Sequence, residues 1–239
     1  MSRRFVYYNS GRSFDNLFQN AVAYYKFDEN SGDAIDVVNG YNGKLFGGIT
    51  QGVNGKIGNA YNFDGSSGFI DIESEDDFNF TDGVNDVAFT IRCWVKLNSA
   101  NVQMLFGKAE SGALEYYFRI IGGKISLQLF SLNNTASHKR RDTIANVNTG
   151  SWTQIVVTYD GFSDIKIYQN GVEESTNNAS NGVYSNMAKT NTSVQISRNK
   201  FVNSQFINGK LDELVVIKGE AWSDVQVLED YNNGNGTTI

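Results

Sequence analysis

The chain carries one histidine and one cysteine, and these two residues bound its nucleophilic and soft-metal chemistry. A serine or cysteine nucleophile needs a base beside it, most often histidine. His138 lies in Ser137-His138-Lys139-Arg140-Arg141, a polar stretch that reads as a surface loop. Cys93 alternates with apolar residues in Phe89-Thr90-Ile91-Arg92-Cys93-Trp94-Val95, the position of a buried structural thiol. One Cys and one His cannot make a usual zinc site, and one cysteine forms no intramolecular disulfide. No catalytic residue is therefore assigned, and the chemistry left is recognition. Tyr116, Tyr117 and Phe118 put rings on both faces of one strand, so at least one is expected to be exposed toward a ligand. Lys139, Arg140 and Arg141 form a basic cluster that would meet an anionic partner, though such runs are more often merely solvated. The long polar stretches 131–149 and 173–192 are the expected binding loops.

The elements that must carry these residues are strands. Asn-Gly and Asp-Gly pairs, among them 64–65, 160–161, 170–171 and 208–209, punctuate the chain and suit tight turns. Between them run short segments of period-two alternation. The clearest is 87–97, with Phe89, Ile91, Cys93, Val95 and Leu97 on one face. Further strands are expected at 21–28, 60–63, 69–72, 102–108, 114–121, 124–130, 152–159, 164–169, 172–174, 193–197 and 211–217. One helix is expected near the end, with Ser223 as N-cap, Gln226 completing a capping box, and Val225, Leu228 and Tyr231 sharing a face. This pattern predicts an all-β fold, an antiparallel two-sheet jelly-roll sandwich over residues 21–239 with one short C-terminal helix, preceded by an N-terminal arm at 1–20.

Composition agrees with an ordinary globular chain. The 239 residues fit one large sandwich, with 40% hydrophobic and 19% charged residues. A net charge of −6 argues against nucleic acid, and no apolar run approaches the ~20 residues of a membrane span. The basic start 1–8 is followed by polar Asn9-Ser10-Gly11-Arg12, so no signal peptide is read.

The order of segments resembles the laminin-G-like (concanavalin A-like lectin/glucanase) superfamily. Its opening strand is Ala21-Val22-Ala23-Tyr24-Tyr25-Lys26-Phe27-Asp28, followed by the glycine-rich loop from Asp36 to Gly43. Then come Gly55-Lys56-Ile57-Gly58-Asn59-Ala60-Tyr61-Asn62-Phe63-Asp64-Gly65 and Phe89 to Lys96. Trp152-Thr153-Gln154-Ile155-Val156-Val157-Thr158-Tyr159-Asp160-Gly161 and Asn208-Gly209-Lys210-Leu211-Asp212-Glu213-Leu214 complete the match. A histidine often found after the tryptophan at 152 is missing, and Ile217-Lys218-Gly219-Glu220-Ala221-Trp222-Ser223 departs from the family's usual Tyr-Asn-Arg-Ala-Leu-Ser.

The resemblance carries three implications. Hydrolases of such sandwiches place Glu-x-Asp-x-Glu on one strand, but here Phe69-Ile70-Asp71-Ile72-Glu73 lacks the first carboxylate, so no enzyme activity is expected. A structural Ca2+ would be held by Asp28, Asp64 and Asp212. The protein is expected to bind or build, not to catalyse, and Trp94 and Trp152 match framework positions. Arg3, Arg4, Phe5, Tyr7 and Tyr8, with Arg12, Phe14, Leu17 and Phe18, read as an assembly arm outside the sandwich. With the asparagine-rich, proline-free style of the chain, the arm points to an oligomeric virion component of a bacteriophage, a decoration, fibre or tail protein, with a glycan or cell-surface receptor as partner. The alternatives are a stand-alone carbohydrate-binding module of a bacterial surface or secreted system and, more remotely, a glycan hydrolase.

Overall fold

In the computed structural model, which describes residues 17–73, 76–131 and 135–239, the alternating segments become strands. In chain order these are β1 (Ala21–Tyr25), β2 (Lys44–Phe46), β3 (Ile49–Asn54), β4 (Asn59–Asp64), β5 (Phe69–Ile72), β6 (Phe89–Leu97), β7 (Gln103–Glu110) and β8 (Ala113–Ile121). They continue as β9 (Lys124–Phe130), β10 (His138–Thr143), β11 (Thr153–Tyr159), β12 (Ile165–Gln169), β13 (Val172–Glu173), β14 (Thr176–Asn178), β15 (Val194–Ile196) and β16 (Asn208–Lys218). The helix α1 (Asp224–Tyr231) closes the fold.

Two antiparallel sheets of eight strands face each other. One runs β13-β12-β11-β6-β16-β4-β3, with β1 also on β16, and the other runs β14-β10-β9-β8-β7-β15-β5-β2. The expected apolar faces meet between them: Ile91, Cys93 and Val95 of β6 share one core with Phe118 and Ile120 of β8 and Leu127 and Leu129 of β9. Each such side chain contributes about 1.5–3 kcal/mol by leaving water. The jelly-roll sandwich expected from the sequence is the fold observed.

A bulge in β16 shapes the outer face of the first sheet. The register slips between Asp212 and Val215, and Glu213 takes a φ of 51°. The extra residue points two successive acids, Asp212 and Glu213, away from the core, while Leu211 and Leu214 stay inside it. That face is covered by residues 17–20, α1 and the C-terminal tail. Leu17 and Phe18, expected in an external arm, are instead packed with Tyr24, Val215, Ile217, Trp222 and Val227. The rest of the arm, including Arg3, Arg4, Phe5, Tyr7 and Tyr8, lies outside the described residues.

Helix α1 starts as expected. The Ser223 N–H donates to Gln226 Oε1 at 3.0 Å and the Gln226 N–H returns to Ser223 Oγ at 3.4 Å. Its buried face is not the expected one: Val227 and Asp230 turn inward, leaving Val225 and Leu228 exposed. The reason is electrostatic. Arg92 of β6 is fully buried beneath the helix and needs a carboxylate, which Asp230 supplies at 2.9 Å.

Four strands fall where none was expected. The β2 and β3 segments are short and glycine-flanked, while β10 and β14 lie inside the two stretches read as polar loops. Residues 138–143 pair with β9 from His138 opposite Phe130 to Asp142 opposite Ser126, so the basic cluster sits on a strand rather than in a loop.

Candidate functional site

At one end of the sandwich three loops converge: 65–68 after β4, 98–102 between β6 and β7, and 197–207 between β15 and β16. Local chemistry shapes each one. Asp64 Oδ1 accepts the N–H groups of Ser66, Ser67 and Gly68 at 2.9, 2.9 and 3.0 Å. Its other oxygen takes the Ser66 and Ser67 hydroxyls at 2.8 and 2.7 Å. Burial pushes this carboxyl up, but the converging donors outweigh it and hold it well below the usual carboxylate range. Gly65 adopts φ +77°, and a Cβ there would stand 2.9 Å from that of Asn208, so the turn needs glycine.

Side chains knit the loops together. The buried amide of Gln103 donates to Ser99 O at 2.7 Å and accepts the Asn208 N–H at 2.7 Å. Ser197 Oγ donates to Gly68 O and accepts the Ile207 N–H, both at 2.8 Å. Gln205 stands at φ 68°, held by its carbonyl on the Met104 N–H at 2.7 Å and by Asn199 Nδ2 at 3.2 Å.

Between the loops opens a cleft of about 390 Å³. Hydroxyls and amides of Ser66, Asn101, Ser204 and Gln205 line it, with Val102 and Phe206 as the apolar part. Every lining side chain is uncharged. Ser99 Oγ is buried at its wall without a hydrogen-bond partner among the described residues. Hydroxyls and amides donate and accept at once, the chemistry that matches a neutral polyhydroxylated ligand, and the cleft is of ligand-site size. It holds no acid or base that could move a proton.

A second cleft of about 430 Å³ lies beside α1, over Trp222 and Thr158. Two of the charged residues that line it, Lys166 and Asp224, pair with each other. Lys166 bridges Glu173 at 2.9 Å and Asp224 at 3.2 Å, and the hydrogen bond to Glu173 leads in raising its ammonium above the usual value. Asp160 caps its own turn, accepting the N–H groups of Phe162 and Ser163 at 2.8 and 2.7 Å.

The residues expected to act are placed elsewhere. Tyr116 is in the core, donating to Phe78 O at 3.2 Å, and Tyr117 on the opposite face is 5% exposed, edge-on to Phe130 and beneath Arg119. The expectation of an exposed ring there is corrected: neighbours on the sheet cover both. Alternation splits the basic cluster. Lys139 turns in over Tyr159 and Tyr184 and donates to Phe162 O at 2.8 Å. Arg140 clasps Asp142 at 2.8 and 2.7 Å, and Arg141 donates to Asn178 at 2.7 Å. Each cation of the cluster thus already has a hydrogen-bond partner within the fold.

The three aspartates expected to share calcium lie at two places. Asp28 Oδ1 accepts the Asn59 N–H at 2.8 Å, and Asp212 Oδ2 accepts those of Lys56 and Ile57 at 2.7 and 3.0 Å, so both hold the 55–59 loop. Asp64 stands at the far end of β4, about 16 Å along the strand at ~3.3 Å per residue, whereas calcium reaches its ligands at ~2.3–2.6 Å. Among the described residues no three His, Cys, Asp or Glu side chains are grouped to hold a metal. The trio therefore does not fit one ion.

Neither solitary nucleophile partner is poised. Both ring nitrogens of His138 face carbonyl oxygens, Thr135 O at 3.0 Å and Ala179 O at 3.2 Å. Burial pushes the Cys93 thiol up to about 12. Phe69, where a first carboxylate would stand, stacks on Phe46 under Arg198. Trp94 packs under Tyr231, and Trp152 is partly buried.

The cleft escaped sequence reading because Ser66, Asn101 and Gln205 come from three distant loops. Only the strand order brings them to one end.

The sandwich places the chain in the concanavalin A-like lectin/glucanases superfamily, to which it belongs: the family model matches residues 64–226. No curated protein matches the chain in sequence. Among solved structures it is similar to domain 4 of AbnA, a GH43 extracellular arabinanase from Geobacillus stearothermophilus, in complex with arabinotriose. The two share 21% identity over 88% of this chain and 97% of that one, with a TM-score of 0.64. It is also similar to botulinum neurotoxin type C, whose cell entry depends upon interaction with two ganglioside molecules (12% identity, 92% of this chain, 52% of that one, TM-score 0.68). The binding domain of Paraclostridial Mosquitocidal Protein 1 is a third (16%, 91% and 53%, TM-score 0.69). The chain thus spans about half the length of these toxin domains. No helix among the described residues is long and apolar enough to cross a membrane.

Proposed function

We propose that this chain is a non-catalytic glycan-binding module that takes a neutral sugar in the loop-end cleft and serves adhesion at an extracellular or virion surface. The observation that carries the reading is the cleft's lining, uncharged throughout and built from hydroxyls, amides and two apolar side chains. A charged ligand would bury its charge unpaired there, whereas a sugar finds donors, acceptors and an apolar patch. The family and the similarity to an arabinotriose-bound domain support the class of ligand. Phe69 in place of a first carboxylate and the lack of an acid or base in the cleft support binding without cleavage. The virion placement rests on the cation-and-aromatic composition of residues 3–8. A glycan array probed with the full chain tests the reading: neutral oligosaccharides are retained and recovered uncleaved. Silence across the array, or hydrolysis of a bound glycan, would overturn it.

A further inference from the structure

Lys108 is an unusual lysine: its side chain is wholly enclosed. It comes from β7 beside a bulge, where Lys108 pairs with Tyr116 and Ala109 with Leu114. The unpaired residue is Glu115, and the irregularity lets its carboxylate turn toward the lysine. Lys108 Nζ lies 3.0 Å from Glu115 Oε1, donates to Thr190 O at 3.0 Å and touches the side-chain carbonyl of Asn79.

Asn79 is also buried, between the core residues Phe78 and Phe80. The Tyr116 hydroxyl holds the Phe78 carbonyl beside it. Its amide nitrogen points the other way, donating at 3.0 Å to Asp76, whose side chain is largely in solvent. The carboxamide therefore shows its carbonyl to the lysine and its leaving nitrogen to the exposed Asp76 carboxylate. Glu115 Oε1 is gripped by the Thr190 N–H and hydroxyl, both at 2.6 Å, while Oε2 is buried with no hydrogen-bond partner.

We propose that Lys108 and Asn79 become joined by an intramolecular isopeptide bond, with Glu115 transferring the protons. Burial lowers the Lys108 ammonium and raises the Glu115 carboxyl, and each opposes the shift of the other. A proton crossing the 3.0 Å contact leaves a neutral amine and a neutral acid. The Nζ lone pair then attacks Cγ of Asn79, and the new C–N bond forms. Glu115 relays a proton from Nζ to Nδ2, the Cγ–Nδ2 bond breaks, and ammonia departs on the Asp76 side, taking up the proton that Lys108 first released. In sum an ammonium and a carboxamide become a secondary amide and an ammonium ion, with no other reactant consumed.

The product would close residues 79–108 into a covalent loop that contains β6, tying the segment that leads into β6 of the first sheet to β7 of the second. A chain with one cysteine has no disulfide route to such a staple.

Intact mass of the purified full chain, followed by peptide mapping, tests the proposal. The expected result is a mass about 17 Da below that of the sequence, one ammonia lost. The map should contain a branched peptide joining the segments of Asn79 and Lys108, which separates this product from succinimide at the Asn-Gly pairs. Glu115→Gln and Lys108→Arg should restore the full mass, with circular dichroism establishing that each variant is folded. Linear peptides for both segments after prolonged incubation of the wild type would reduce the cluster to a buried ion pair and overturn the proposal. Ammonia loss retained at this pair in folded Glu115→Gln would overturn the role of Glu115.

Discussion

Asp230→Ala should be among the most damaging single substitutions outside the main core. The carboxylate receives Arg92 Nη2 at 2.9 Å, Gln154 Nε2 at 2.7 Å and the Thr237 hydroxyl, all beneath α1. Removing one partner of a buried pair costs about 3–5 kcal/mol, because the other charge is left uncompensated. Arg92 keeps some relief, since Nη1 donates to Glu213 O at 2.7 Å and lies 3.7 Å from Glu213 Oε2. The expected loss is therefore near the lower bound, about 3 kcal/mol. For a chain of this size that lowers the melting midpoint by roughly 6–12 °C. Urea unfolding followed by tryptophan fluorescence reads it directly, because Trp94 and Trp222 are buried on the same side of the sheet. Arg92→Met combined with Asp230→Leu should cost less than Asp230→Ala alone, since no charge is then stranded. A loss below about 1 kcal/mol for Asp230→Ala would refute the reasoning that Arg92 sets the helix face.

Further outcomes follow from other sites. Burial, assisted by Asp28 and opposed by the Lys56 and Ile57 N–H groups, pushes the Asp212 carboxyl from 3.8 up to about 7. Between those values the folded chain holds a proton that the unfolded chain has released, so stability falls as pH rises through the window; Asp212→Asn should flatten that part of a pH–stability profile, and an unchanged slope would count against it. Ser223→Ala removes the capping box and should cost about 1 kcal/mol in urea unfolding, with the helix otherwise retained. Because Asp64 caps its own loop instead of joining Asp28 and Asp212, a chelator should leave the melting midpoint unchanged while Asp64→Ala lowers it; a chelator-dependent midpoint would restore the calcium reading.

Local chemistry was legible and long-range chemistry was not. The strands 69–72 and 124–130 and the Ser223–Gln226 box depend on nearest neighbours, and they stand where alternation and capping put them. The β10 strand was hidden because both its faces are polar: Lys139 and Arg141 find partners on one side, Arg140 and Asp142 on the other. Alternation of charge with charge carries no burial signal. The helix face was misjudged because Val225 and Leu228 suit an apolar stripe, and nothing near them in sequence announces Arg92, more than a hundred residues earlier. Asp64 illustrates the opposite error. Asp64-Gly65-Ser66-Ser67 is a complete self-capping turn, and the local reading was correct where family analogy drew its carboxylate toward a distant ion.

The central claim is that the uncharged cleft between the three loops binds sugar. Isothermal titration of a glycan retained on the array, comparing wild type with Asn101→Ala combined with Ser204→Ala, tests it most directly. Each hydrogen bond lost is worth about 1 kcal/mol, so the double variant should bind at least tenfold more weakly while melting like wild type. Equal affinity in a folded double variant would place the ligand elsewhere on the sandwich and contradict the account.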